Sequence, residues 1–178
     1  MNALVVYYTH FGNTKKVAET IAETLAQAGT ARAVPIDGLS AADLEGVDLL
    51  VAGSPTHYQN LPKAVRAALE VLPRRALRGG PRSRGGPRAR GVQVAAFDTS
   101  VQAWGPLMRM TAGRRLLPRL RKLGGKPVAR PETFLVLRGE DPESGERQDA
   151  LVEGEVERAR AWAASILEQI DARMEHTV

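Results

Sequence analysis

The chain has 178 residues, enough for one domain with a sizeable core, and its 43% apolar and 25% charged content is ordinary for a globular protein. It contains no cysteine, which excludes disulfides, thiol chemistry and cysteine-rich metal sites, and its three histidines, His10, His57 and His176, are too scattered for a metal cluster. The formal charge of +5 is local: residues 74 to 90 hold seven arginines and no acid, leaving 18 basic against 20 acidic residues elsewhere. No apolar run approaches the ~20 residues needed to span a bilayer, and no secretory pattern opens the chain, so the cytoplasm is the expected location.

In chain order, Ala3 to Tyr8 is a continuous apolar run, as a strand covered on both faces requires. A helix follows from about Asn13 to Ala28, with Val17, Ile21 and Leu25 on one face and Gly29 at its C-cap. Arg32 to Ile36 reads as a second strand and Val47 to Ala52 as a third, ending in Gly53-Ser54-Pro55. Pro62 opens a second helix with Val65, Leu69 and Leu72 as its stripe. Val92 to Phe97 is a fourth strand, and a helix over roughly Leu107 to Leu123, kinked at Pro118, comes next. Thr133 to Leu137 is a short fifth strand. Val152, Val156, Ala159, Ala163, Ile166 and Ile170 then mark a long amphipathic helix.

Five short β patterns alternating with helices predict an α/β, doubly wound parallel sheet with helices on both faces. The single domain is expected to span residues 1–172, with a flexible Arg/Gly/Pro-rich loop at 78–90 and a C-terminal tail at 173–178. In such folds ligands bind at the carboxyl ends of the strands, so three strand-end segments are the candidates for chemistry.

The first is Thr9-His10-Phe11-Gly12-Asn13-Thr14, between strand 1 and helix 1. Unpaired backbone N–H groups and the helix dipole favour an anion there. Thr9 and Thr14 add hydroxyls, Asn13 an amide, and Gly12 permits close backbone approach. The alternative is a helix simply capped by Thr9 or Asn13. No P-loop lysine is present, which argues against a nucleoside triphosphate with magnesium. The second segment, Gly53 to Pro62, carries His57, Tyr58, Gln59 and Asn60, a set suited to a flat heteroaromatic ligand or else to an ordinary half-buried loop. The third is Phe97-Asp98-Thr99-Ser100, with Trp104 shortly beyond.

Leu4 to Thr14 resembles the first strand and phosphate loop of flavodoxins. Gly53-Ser54-Pro55-Thr56-His57-Tyr58 looks like their second flavin-contacting loop, and Ala96-Phe97-Asp98-Thr99 resembles the third. The resemblance implies a flavodoxin-like five-stranded sheet of order 2-1-3-4-5 and flavin mononucleotide (FMN) as cofactor. It implies that Thr9, Asn13 and Thr14, with backbone amides from His10 to Thr14, hold the phosphate. Pro55, Thr56, His57 and Tyr58 would line the isoalloxazine ring, Asp98 and Thr99 would approach its pyrimidine edge, and Trp104 would stack on it. The ring carries the electron chemistry.

Phe11 stands where many flavodoxins have a third hydroxyl residue, and an aromatic there is similar to the flavodoxin-like quinone reductases. The sequence therefore predicts an FMN-binding electron-transfer protein. One alternative is an FMN-dependent NAD(P)H:quinone-type reductase, with His57 and Tyr58 available as proton donors. Another is a cofactor-free module whose Arg-rich loop docks an acidic partner. The expected partner is a redox protein or a small-molecule acceptor, and monomer and homodimer are both compatible with the chain. Nucleic acid is disfavoured because the arginine segment carries no aromatic side chains for base stacking.

Overall fold

The computed structural model describes residues 1–56, 60–78, 91–101, 111–140, 144–145 and 147–175. Seven strands among them form one sheet in the order β2-β1-β3-β4-β6-β7, with β5 pairing β4 off this path. The strands are β1 (Asn2–Tyr7), β2 (Thr30–Pro35), β3 (Leu49–Pro55), β4 (Gln93–Val101), β5 (Lys126–Pro127), β6 (Glu132–Leu137) and β7 (Ala150–Leu151). The helices are α1 (Asn13–Leu25), α2 (Lys63–Glu70), α3 (Ala112–Lys122) and α4 (Glu155–Glu175).

The apolar runs are continuous because the sheet is buried on both faces. Side chains alternate across it: Ala3, Val5, Leu49, Val51, Ala95 and Phe97 pack with α1 and α4. Their neighbours Leu4, Val6, Leu50, Ala52, Val94 and Ala96 pack with α2 and α3. Most of the stripes foreseen on the helices are the ones that pack; the exceptions are Val152, which precedes α4, and Val156, which is only half-buried. Val17, Ile21 and Leu25 of α1 and Ala159, Ala163, Ile166 and Ile170 of α4 are all buried, as are Val65 and Leu69 of α2.

At the centre of the α1/α4 layer, Gly53 makes room for an aromatic ring. A Cβ at Gly53 would lie 2.0 Å from Cζ of Phe97, whose ring is buried edge-on against Phe134 and Trp162. At the sheet edge, Glu155 opens α4 and is itself buried. Its Oε2 accepts the Leu135 amide at 3.0 Å, in place of the strand neighbour that β7 is too short to supply. Arg158 pairs with both Glu155 and Glu132 and lies over the Phe134 ring, fixing α4 to β6.

The sheet departs from five parallel strands by two short additions. The parallel set β2-β1-β3-β4-β6 has the anticipated order, whereas β5 is a two-residue pairing with the start of β4 and β7 is antiparallel to β6. β4 also runs four residues past Phe97, because β6 pairs with its second half from Phe97 to Val101. Helix α3 starts at Ala112, and residues 107–110 of the expected helix lie outside the described residues. Pro118 is inside α3, which nonetheless continues to Lys122. Helix α4 runs to Glu175, beyond the expected boundary at residue 172. The Arg-rich stretch 79–90 and residues 176–178 lie outside the described residues.

Candidate functional site

β1 hands the chain to α1 on one face of the sheet, while β3 hands it to α2 on the other. Their adjacent carboxyl ends form the topological switch point, where a crevice opens. A cavity lies there. Thr9, His10 and Phe11 line it from the first loop and Asn13 and Thr14 from the start of α1, with Pro55 at the end of β3, Thr56 just beyond it, Thr99 and Val101 from β4, and Val136 from β6. Arg147 and Asp149 complete the wall.

The start of α1 is built to leave its amides open. Gly12 occupies the N-cap position at φ +80°, a left-handed conformation that a side chain resists, and no side-chain cap bond is made. Neither Thr9 nor Asn13 caps the helix, so the simple capping alternative does not hold. The Asn13 amide nitrogen instead donates to the Asp149 carbonyl at 2.7 Å, and the Thr14 hydroxyl bonds the Thr99 hydroxyl at 2.8 Å. Thr9 Oγ1 is buried and has no hydrogen-bond partner. A buried hydroxyl without a partner is an unfavourable arrangement that a ligand oxygen would relieve.

Asp98 does not line the cavity. It is fully buried, with Oδ2 accepting from the Thr56 hydroxyl at 2.8 Å and Oδ1 from the Gly113 amide at 3.1 Å and the Thr133 hydroxyl at 3.0 Å. The Thr56 hydroxyl in turn accepts the Ala112 amide at 2.9 Å. Asp98 thus ties the end of β3, the start of α3 and β6 into one support beneath the cavity floor. Gly113 is required for this approach, since a Cβ there would sit 2.8 Å from Asp98 Oδ1. Burial pushes the Asp98 carboxyl above its usual range, against the opposing pull of hydrogen bonds from Thr56, Thr111, Gly113 and Thr133.

The segment 147–149 is the part of the wall that motif reading passes over. Arg147 makes a two-point ion pair with Asp149, Nε to Oδ1 at 2.9 Å and a terminal nitrogen to Oδ2 at 2.6 Å. Its guanidinium also lies 5.3 Å over the Phe11 ring. Phe11 is therefore the cushion for Arg147 and is 42% exposed. In sequence the pair is two ordinary charged residues two apart, with no motif to mark them.

The flavodoxin family model matches residues 5–162. The chain belongs to the flavodoxin family. Its fold matches a flavodoxin from the domain Archaea at TM-score 0.66 and 16% identity, over 96% of this chain and 99% of that one. Flavodoxin 2 from Bacillus cereus matches at TM-score 0.68 and 21% identity, over 95% and 99%. The rubredoxin oxygen:oxidoreductase of Desulfovibrio gigas matches at TM-score 0.65 and 17% identity, over 97% of this chain but only 37% of that larger one. At these identities the likeness is one of fold. No curated protein sequence matches the chain.

For a flavodoxin-family chain, the site residues expected from sequence divide three ways. Thr9, His10, Phe11, Asn13, Thr14, Pro55, Thr56 and Thr99 meet at the cavity. Gly12 shapes its mouth and Asp98 supports it from below. His57, Tyr58 and Trp104 lie outside the described residues. Among the described residues no His/Asp/Glu group could hold a metal ion, and no helix is long and apolar enough to cross a membrane.

Proposed function

We propose that this chain binds FMN in the cavity at the switch point and works as an electron carrier between a donor and a redox partner. The observation that supports this most is the buried, unpartnered Thr9 hydroxyl beside the uncapped N-terminus of α1. A phosphate monoester would take both the hydroxyl and the amides, aided by the helix dipole. The residues present fit the group.

In this reading Thr9 donates to a phosphate oxygen, and the Asn13 and Thr14 amides donate alongside it. Gly12 keeps the backbone close. Thr14 and Thr99 share one hydrogen bond, so one of the two hydroxyl hydrogens stays available to the ligand. Pro55, Val101 and Val136 give the cavity apolar walls that exclude water from whatever they cover. The roles of His57, Tyr58 and Trp104 around the flavin ring rest on the family resemblance alone. Bound FMN would supply one- and two-electron chemistry, and the protein would tune it through burial and hydrogen bonding.

The carrier reading is favoured over a quinone-type reductase because Phe11, the residue that suggests a reductase, is accounted for by its packing under Arg147. The test is the visible spectrum of the freshly purified protein, followed by titration with FMN and with riboflavin. Yellow protein, or apoprotein that takes up FMN far more tightly than riboflavin, is the expected result. Colourless protein that binds neither overturns the proposal.

A further inference from the structure

The pole of the sheet away from the cavity carries a second concave feature. Where α2 and α3 end, a groove of about 430 Å³ opens between them. Its floor is apolar, made by Leu69 and Leu123, both buried. Its walls are cationic: Arg66 and Arg74 from one side, Arg119 and Lys122 from the other, with Glu70 the one acid among its lining residues. Arg66 Nε is buried and has no hydrogen-bond partner.

We propose that this groove docks an acidic segment of a partner protein, one in which carboxylates flank an aliphatic side chain. Cations in the last turn of α3 also offset its helix dipole, but Arg66 is mid-helix in α2 and has no such part to play. A buried guanidinium donor without a partner is costly, and an incoming carboxylate satisfies it with a charge-assisted bond. The leucine floor selects an aliphatic side chain between the carboxylates. Nucleic acid fits less well, because the lining offers no aromatic surface for bases and places Glu70 among the cations. The chain's own neighbouring stretch is a poor occupant. Beyond exposed Arg75 and Arg78 it holds Arg82, Arg84, Arg88 and Arg90 with no acid, so like charge opposes its binding there.

The location gives docking a purpose. The Leu77 amide bonds the Leu123 carbonyl at 3.0 Å, and α3 leads into β5 beside Gln93 at the start of β4. The groove therefore belongs to the amino ends of the strands, while the cavity belongs to their carboxyl ends. A partner held here leaves the cavity open to an electron donor or acceptor. The inference does not depend on the cofactor being FMN.

The test uses the full chain and a short fluorescein-labelled peptide of glutamates with two interspersed leucines, read by fluorescence anisotropy. Saturable binding is expected, falling at least about tenfold when salt rises from about 50 to 300 mM. It should fall by at least about tenfold in R119E/K122E. R74E/K122E, one of whose changes lies outside the helices, is the second variant should the first fold poorly, with far-UV circular dichroism as the check. An oligonucleotide of equal charge should bind more weakly than the peptide, and saturating peptide should leave FMN titration unchanged. Absence of saturable peptide binding, retention of it in the charge-reversed variants, tighter oligonucleotide binding, or competition with FMN would each overturn the proposal.

Discussion

Replacing Thr9 with valine should move the free and the FMN-bound protein in opposite directions. The substitution keeps the β-branched shape and deletes only Oγ1, which is buried and unpartnered. A buried polar group without a hydrogen bond costs roughly 1–3 kcal/mol, so T9V apoprotein should gain about 1 kcal/mol. For a chain of 178 residues that is a rise in Tm of about 2–4 °C. With FMN present the same change removes a hydrogen bond to a charged phosphate, typically about 1.5–3 kcal/mol. The Kd for FMN should then rise about 10- to 150-fold, while the Kd for riboflavin, which has no phosphate, stays put. Since bound ligand stabilises in proportion to the logarithm of its concentration over Kd, the melting order reverses. T9V melts above wild type without FMN and below it at saturating FMN. Thermal scans with FMN, riboflavin and no ligand, backed by fluorescence titration, read this directly. If T9V loses stability without ligand, or weakens FMN and riboflavin equally, Thr9 is a framework residue and the phosphate assignment fails.

Asp98 should make stability fall with rising pH. Its folded pKa is raised, so the folded chain retains a proton the unfolded chain has released, and the advantage present at low pH is lost as pH climbs through the folded value. D98N should flatten that slope in urea midpoints taken from acid to neutral pH; an unchanged slope means another group sets it. Gly53→Ala should cost about 1–3 kcal/mol by driving a methyl into the fixed Phe97 ring, and Phe97→Leu in the same chain should recover part of the loss. Asn13→Ala removes the bond to the Asp149 carbonyl and should lower stability by about 1 kcal/mol in chemical denaturation. NADH or NADPH mixed with the FMN-loaded protein should leave the flavin absorbance unbleached over minutes; rapid bleaching would assign the protein to the reductases.

Much of the architecture was legible because burial on both faces leaves a simple trace. The apolar runs Leu4–Tyr7, Leu49–Ala52 and Val94–Phe97 form the buried parts of β1, β3 and β4, and each strand is followed by a helix with a single stripe, which sets both the layers and the parallel pairing. Boundaries read less well where pairing, not hydrophobicity, decides them. Asp98, Thr99 and Ser100 look like the end of a strand in sequence, yet they are strand because β6 bonds alongside them. β5 and β7 are two residues each and carry no period to detect. Pro118, a residue that often ends a helix, lies inside α3, which runs on to Lys122. At the site, Thr9, Gly12, Asn13 and Thr14 could be picked out because a strand-to-helix turn advertises itself. Arg147 and Asp149 could not, being ordinary charged residues until the fold brings them across from Phe11 and Asn13. The depth of Asp98 was hidden for a related reason: an acid at a strand end is normally read as facing solvent, and only the three hydroxyls and the Gly113 amide around it make burial tolerable.

The chain of bonds from Ala112 through Thr56 to Asp98 has a direction. Ala112 gives its amide hydrogen to the Thr56 oxygen, so the Thr56 hydroxyl hydrogen goes to the carboxylate. The Thr56 amide hydrogen is already committed to the Thr99 carbonyl at 2.8 Å. Thr56 lines the cavity, yet it has no hydrogen left to offer a guest. Thr56 therefore serves that wall by holding its shape, and a bare carbonyl on a guest finds no donor on it.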